Sequence, residues 1–233
     1  MTERKSMIFD RTLWPEVFEV AYHVAGSGHP FEEQRPLLMV ALRDHTTEQE
    51  AGNKTKKLLT RVWINPPPEA APMIKWAVEH PEHFPDRRVL HLGALIATFP
   101  FVGSVAAILG RAFALDGSIT GIELRRRVVA VWGGRTMVNL GASKSAGTLR
   151  KFDVVSGGGL NPMVPGDKLR VVGEPAAWLV HAVALTREQQ ALGSTEIEDA
   201  PELFWAELGS VSSAYPFLEV HREGSNRDVY AIR

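Results

Sequence analysis

The side chains of this sequence that could recognise a charged ligand are concentrated around residues 120–155. Arginine and lysine can contact phosphates, while asparagine and arginine offer the two-pronged hydrogen bonding that base edges require. The residue types therefore predict a DNA-binding surface. Its candidate residues are Arg125, Arg126, Arg135, Thr136, Asn139, Ser143, Lys144, Arg150, Lys151, Lys168 and Arg170.

Formal charge is distributed unevenly along the 233 residues. Residues 86–173 contain 12 basic and 5 acidic side chains, which gives this segment a charge of +7. Residues 1–85 carry −2 (10 basic, 12 acidic) and residues 174–233 carry −6 (4 basic, 10 acidic). A basic segment between acidic flanks is typical of a local polyanion-binding surface. The alternative is a basic face that pairs with the chain's own acidic C-terminal part.

Two helices joined by a glycine turn must position these side chains. Thr120 and Glu123 form a T-x-x-E capping box, which predicts a helix start, and apolar residues recur at helical spacing from Leu124. Gly133-Gly134 ends that helix, and Arg135 opens the next one. This order is that of a helix-turn-helix, which offers its second helix to a DNA groove.

The second helix divides into two faces when residues 136–152 are placed at about 100° per residue. The face predicted to join the core carries Val138, Ala142, Ala146, Leu149 and Phe152. The outer face, which would approach a groove and read bases, carries Asn139, Ser143, Gly147 and Arg150. Phosphate contacts are predicted for the flanking residues Arg135, Thr136, Lys144 and Lys151. An ordinary amphipathic helix with a solvated polar face is the alternative.

The sequence after this helix predicts a wing. Short apolar segments at Phe152–Val155 and Leu169–Val172 flank a glycine-rich loop, and we expect them to pair as strands. Lys168 and Arg170 would then lie on or beside the returning strand. A strand-loop-strand directly after the second helix has the order of a winged helix.

The flanking parts of the chain are predicted to be largely helical. Within residues 1–85, punctuated by proline, the predicted helices run from Pro15 to Gly26, Glu32 to Arg43, Thr47 to Trp63 and Met73 to His80. The C-terminal part is predicted to contain helices over Pro175–Ala191 and Asp199–Leu208, then a β-hairpin around Gly224-Ser225-Asn226.

The longest apolar stretch, residues 89–110, contains no Asp, Glu, Lys or Arg and is a membrane-span candidate by length. Pro100 bisects it, and His91, Gly93 and Ser104 are among the polar or small positions that weaken it. We therefore expect two buried helices, over about Asp86–Thr98 and Pro100–Ala114, that meet at a bend. The N-terminus has charges with no apolar stretch behind them, so no secretory signal is predicted.

Enzyme-like patterns are incomplete at identifiable positions. The sequence GASKSAGT at residues 141–148 resembles a phosphate-binding loop but lacks the lysine before Thr148. The chain has no cysteine, and its eight histidines do not follow a metal-binding spacing. We therefore predict no cofactor, no metal and no enzymatic activity. An active site assembled from distant residues is an alternative that the sequence leaves open.

Residues 95–155 resemble a winged-helix domain: a buried helix, a capped helix, a glycine turn, a long basic helix and a strand. A helical N-terminal half followed by such a domain is loosely similar to small accessory proteins of bacterial BREX-type phage-defence systems, which are thought to bind DNA. The resemblance implies a DNA-binding role in phage defence. Gly141 and Gly147 depart from a typical recognition helix, because glycine in a helix costs roughly 0.5–1 kcal/mol relative to alanine.

Together these features predict a mainly α chain in three parts. Residues 1–85 would form a helical domain, residues 86–173 a winged helix-turn-helix, and residues 174–233 a small α+β part that ends in a β-hairpin. The predicted function is that of a cytoplasmic, non-enzymatic DNA-binding protein, with double-stranded DNA as partner and no membrane association. The alternative is a protein-interaction subunit, which could be a homodimer and would use Trp178, Phe204 and Trp205 as an aromatic surface.

Overall fold

The computed structural model describes residues 7–45, 49–223 and 227–233. Prolines and glycines delimit the helices of the N-terminal part much as the sequence predicts. Pro15 begins the first helix and Gly26 caps its end. The four helices are α1 (Pro15–Ala25), α2 (Phe31–Ala41), α3 (Gln49–Leu59, continued by a π turn over Thr60–Ile64) and α4 (Ala71–Glu79). Thr47, the predicted start of the third helix, lies outside the described residues.

The apolar stretch forms two helices that meet at a sharp bend, which confirms the prediction from Pro100. They are α5 (Arg87–Thr98), capped by the Asp86 carboxylate, and α6 (Pro100–Asp116). In the part of the chain that is described, no single helix is long and apolar enough to cross a membrane, and this pair is bent by 114°. The helices that follow are α7 (Gly121–Trp132) and α8 (Thr136–Lys151).

The prediction of a mainly α fold is wrong, because the structure is α+β: 60% helix and 16% strand, with the strands in three small sheets. After α8 come β1 (Val155–Gly158), β2 (Asn161–Pro165), β3 (Leu169–Gly173), α9 (Glu174–Arg187), β4 (Ala191–Gly193), α10 (Ser194–Glu198), β5 (Ala206–Val211), β6 (Leu218–Glu223) and β7 (Arg227–Ile232). β1 pairs with β2, β3 with β5, and β7 lies between β4 and β6.

The two strands of the predicted wing do not pair with each other. β1 is antiparallel to β2, with Val155 opposite Pro165, whereas Leu169–Gly173 is parallel to β5. The physical reason is the run Gly157–Gly159, in which all three residues have positive φ. Such φ values let the chain turn back at once, so β2 becomes the returning strand.

The predicted helix over Asp199–Leu208 is also wrong. Pro201–Leu203 forms a single 3-10 turn, and the chain then extends as β5. The buried Glu202 carboxylate anchors the turn by accepting hydrogen bonds from Arg187 Nε and Nη2 at 2.9 and 2.7 Å. The chain then pairs in parallel with β3, with Leu169 opposite Ala206. This pairing is between residues far apart in sequence, so local periodicity does not reveal it. The predicted C-terminal hairpin is confirmed as β6 and β7, although its turn lies outside the described residues.

One hydrophobic core joins the described parts of the chain, from Phe9 near the N-terminus to Tyr230 near the C-terminus. Helix α9 lies inside it and packs along α5. Trp178 on α9 is fully buried, and its Nε1–H donates to the Met73 carbonyl at 3.0 Å. The buried indole therefore links the C-terminal half to α4 without leaving a polar atom unpaired.

The two glycines of α8 are explained by close packing. A Cβ at Gly141 would overlap the Ile8 and Phe101 side chains, and one at Gly147 would lie 2.6 Å from Thr12 Oγ1. Both residues are buried. Glycine at these two positions lets the N-terminal segment and α6 approach the backbone of α8.

We expect Gly141→Ala to lower the free energy of unfolding by roughly 1–3 kcal/mol, the usual cost of overpacking. This cost exceeds the roughly 0.5–1 kcal/mol that alanine gains in helix propensity. Urea denaturation measures the change. Gly121→Ala is the matched control on α7, because its Cβ would find Arg125 at an ordinary 3.6 Å. A Gly141→Ala variant at least as stable as wild type would contradict this account of the packing.

Candidate nucleic-acid interface

The arginines of α7 are mostly exposed or half-buried, but a neighbouring carboxylate already pairs with two of them. Thr120 Oγ1 caps the helix by accepting the Glu123 N–H at 3.2 Å. Glu123 Oε1 in turn accepts from Arg126 Nη2 at 2.7 Å and from Arg127 Nε at 2.6 Å. These guanidiniums hold the pKa of Glu123 below its usual range. Arg126, a predicted DNA contact, therefore shares this carboxylate with Arg127, and its side chain is 76% exposed.

The predicted outer face of α8 is partly covered by the segment Met7–Trp14. The Leu13 N–H donates to Thr148 Oγ1 at 2.9 Å, and Thr148 Oγ1 donates to the Arg11 carbonyl at 3.4 Å. Thr12 lies directly over Gly147. The predicted core residues of α8 are buried as expected, but so is Gly147. The helix consequently packs on this side at Gly147, while Ser143 and Arg150 on the same face are exposed.

A cationic depression, which we call the basic trough, runs along the N-terminal half of α8. It lies between α8, α3 and the segment Met7–Trp14, and it consists of two cavities of about 510 and 400 Å³. The two cavities adjoin, since Asp10 and Lys54 line both. Its five cationic lining residues are Arg11, Lys54, Lys57, Arg135 and Lys144.

The trough also presents apolar side chains to solvent. Met137 and Leu140 on α8 are 43% and 41% exposed, and Trp14 is 50% exposed. The Lys151 ammonium lies 4.6 Å from the centre of the Trp14 ring, within range of a cation–π interaction. Asp10 is the one carboxylate among the described residues that line the trough. The trough therefore combines cationic side chains with exposed apolar ones.

The structure brings together only some of the predicted contacts. Arg135, Thr136 and Lys144 line the trough. Lys151 does not line it but contacts the ring of Trp14, which does. The remaining predicted contacts do not line the trough: Arg125, Arg126, Asn139, Ser143, Arg150, Lys168 and Arg170.

Two of the predicted base-reading side chains, those of Ser143 and Arg150, donate hydrogen bonds to nearby backbone carbonyls. Ser143 Oγ donates to the Asn139 carbonyl at 3.3 Å within α8. Arg150 Nη1 donates to the Gly157 carbonyl at 3.0 Å, so the guanidinium holds the β1–β2 hairpin against α8. Arg170 lines a separate cavity of about 340 Å³ together with Glu82 and Glu174, an acidic setting that disfavours phosphate.

Three of the five cations in the trough are not among the residues that the sequence predicts. Arg11, Lys54 and Lys57 belong to residues 1–85, whose net charge is −2. The one local signal is the run Lys54-Thr-Lys56-Lys57, which places cations on one turn of α3. A summed charge hides such a cluster, because the same segment also contains 12 acidic residues.

Two histidines are buried away from the trough. His91, 1% exposed, lies with Nε2 2.6 Å from Glu19 Oε2, while Arg87 and His23 contact the other carboxylate oxygen at 3.4 and 3.3 Å. The hydrogen bond from His91 lowers the pKa of Glu19, and burial lowers the pKa of His91. The pair is therefore a neutral imidazole that donates to a carboxylate. Since the ring is enclosed, it is not open to a substrate.

The second buried histidine, His181 on α9, has its Nδ1 3.0 Å from Tyr215 Oη. Burial lowers the pKa of His181 to about 4 and raises that of Tyr215. Both groups are neutral near pH 7 and share one hydrogen bond. Among the described residues, no group of three His, Asp or Glu side chains is arranged to hold a metal ion.

Comparison with known proteins finds no matching protein family, no matching curated protein and no matching solved structure. The functional interpretation consequently depends on the geometry of the chain itself.

Proposed function

We propose that this chain is a cytoplasmic, non-enzymatic nucleic-acid-binding protein that holds a phosphate backbone in the basic trough. The observation that carries the proposal is the convergence of five cations from three elements on one depression. Arg11 comes from the N-terminal segment, Lys54 and Lys57 from α3, and Arg135 and Lys144 from α8. Cations that converge from distant parts of a chain are typical of a polyanion site, because like charges otherwise repel one another.

The proposed role is the DNA binding that the sequence predicts, but the proposed contacts are the residues of the basic trough. Phosphate contacts by Arg135, Thr136 and Lys144 stay in the proposed site. Base reading by Asn139, Ser143 and Arg150 is not part of the proposed site, because these residues do not line the trough. The resemblance to phage-defence accessory proteins makes phage defence or transcriptional control the expected setting.

The test is the salt dependence of binding to DNA, measured by fluorescence anisotropy with a labelled duplex and with one of its strands. If the five cations each contact a phosphate, the slope of log affinity against log salt is about −4.5 for duplex or −3.5 for a single strand. A rise from about 50 to 200 mM salt then weakens binding about 100- to 500-fold.

A protein partner is the second candidate. Trp178 and Trp205, which the sequence assigns to an aromatic docking surface, are buried and cannot form it, so three exposed apolar side chains on α6 and α7 favour this candidate instead. Leu115, Ile122 and Val131 are 81%, 74% and 66% exposed, as at many association surfaces. A chain that binds neither DNA nor heparin at low salt, but elutes as an oligomer in size-exclusion chromatography, would refute the nucleic-acid proposal and support this second function.

A further inference from the structure

We infer that the basic trough binds a single strand of nucleic acid, with the bases turned into the trough and the phosphates on its cationic walls. This inference depends on the proposed function and specifies its ligand. It is drawn from three features of the trough: its apolar lining, the position of Asp10, and the exposed indole of Trp14.

The apolar lining favours a single strand over a duplex. Met137 lines one half of the trough and Leu140 the other, and they are 43% and 41% exposed. A duplex keeps its bases stacked inside and presents phosphates at its surface, so it would leave these side chains without a suitable partner. A single strand can place unpaired bases against apolar and aromatic side chains.

The Asp10 carboxylate indicates that the bases of the strand, and not its phosphates, face this part of the trough. Asp10 lines both halves of the trough, as Lys54 does. A phosphate lying beside Asp10 would be repelled, whereas the exocyclic amino group of a base can donate to a carboxylate. The arrangement therefore suits phosphates on the walls and base edges towards Asp10.

Trp14 supplies a surface on which a base can stack. The indole is half exposed, lines the trough beside Leu140 and Lys144, and carries the Lys151 ammonium 4.6 Å from its ring centre. Stacking on aromatic rings next to cations is the common mode of sequence-tolerant single-strand binding. From Arg135 to Lys151 the helix rises about 24 Å, at 1.5 Å per residue. That length suits a short strand at the lower end of the range of about 4–16 nucleotides that such folds cover.

The experiment compares a fluorescein-labelled DNA strand of about 16 nucleotides, the upper end of that range, with the same strand annealed to its complement. We expect the wild-type chain to bind the single strand at least 10-fold more tightly at low salt. Trp14→Ala is expected to weaken single-strand binding by roughly 5- to 100-fold, the usual effect of removing one stacking ring, and to leave duplex binding nearly unchanged. Trp14→Phe, which keeps a ring, is expected to restore most of the affinity.

Phe31→Ala is the control, because Phe31 is an aromatic residue of similar exposure that does not line the trough. Far-ultraviolet circular dichroism confirms that each variant folds. Duplex binding that equals or exceeds single-strand binding, or a Trp14→Ala variant that binds the strand like wild type, would overturn the inference and leave the proposed function standing. Failure to bind either DNA would overturn both. Binding of an oligoglutamate peptide without binding of DNA would assign the trough to an acidic protein partner instead.

Discussion

Reversing two charges in the basic trough is expected to weaken DNA binding about 100-fold. The variant is Arg135→Glu combined with Lys144→Glu, which alters one cation in each half of the trough. Each site changes by two charge units, and a unit charge about 4 Å from a phosphate contributes about 1 kcal/mol in water. Two sites thus give about 4 kcal/mol before screening, which salt reduces to about 100-fold in affinity.

The salt dependence provides a second readout of the same variant. Losing two phosphate contacts reduces the slope of log affinity against log salt by about 1.5. A variant that merely unfolded would lose binding altogether and would not show a shallower slope. Anisotropy titrations at several salt concentrations measure affinity and slope together.

Two matched variants separate the trough from charge in general. Arg35→Glu with Arg43→Glu makes the same change in net charge at exposed positions outside the trough, and is expected to alter affinity by less than about 3-fold, because separated exposed charges are largely screened. Lys168→Glu with Arg170→Glu tests the predicted wing contacts, which the structure places outside the trough. If this last variant loses more DNA affinity than the trough variant does, DNA binds at the wing predicted from sequence and not in the trough.

Local signals in the sequence predict the helices before β1 well, because these signals lie within a few residues of each boundary. Thr120 caps α7, Pro100 separates α5 from α6, and Pro15 begins α1. Each of these effects acts within a single turn of helix. The same holds for the C-terminal hairpin, whose alternating strands are adjacent in sequence.

The sheets were harder to predict, because strand partners are chosen by the tertiary fold. Leu169–Gly173 is apolar and short, which suits a strand, but its sequence does not say whether it pairs with β1 or with β5. The outcome depends on α9, which follows β3 directly and carries the chain back to a parallel neighbour. The Arg187–Glu202 pair then fixes the turn before β5, in a segment whose sequence suggests a helix.

The candidate site could be predicted in part for a similar reason. Helical periodicity assigned Val138, Ala142 and Leu149 to the core, and all three are buried. It could not show that Thr12 would cover Gly147, because the N-terminal segment is 135 residues away along the chain. Nor could a segment's net charge show that Lys54 and Lys57 face Arg135 across a trough. Contacts between distant segments decide which part of an amphipathic helix stays open.

As the pH falls from 7 to 4, one buried histidine is expected to lower the free energy of unfolding by about 3 kcal/mol. The pKa of His181 is about 4 in the folded chain, against 6.5 for an ordinary histidine, because burial disfavours the imidazolium. As pH falls below 6.5 the unfolded chain takes up a proton that the folded chain does not, so stability falls until the pH reaches about 4. Each unit of difference in pKa contributes about 1.36 kcal/mol.

The His181→Gln variant isolates this contribution. It is expected to be less stable than wild type at pH 7, because it disturbs the packing of α9 against Tyr215 and Phe217. Its disadvantage should shrink by about 3 kcal/mol as the pH falls to 4, since glutamine does not titrate. Comparing the two chains cancels the contribution of Glu19 and His91, whose lowered pKa values also weaken the folded state in acid.

Tyr215→Phe serves as the control, because it removes the hydroxyl that lies 3.0 Å from His181 and leaves the imidazole buried and titratable. Its stability should therefore fall with pH about as steeply as that of wild type, from a lower starting value. Urea denaturation at intervals between pH 7 and pH 4 gives the three curves. A constant difference between wild type and His181→Gln across that range would mean that the protonated imidazole is tolerated in the folded chain. In that case α9 would have to open at this position to admit water, because a buried charge with neither a counter-ion nor water is too costly to maintain.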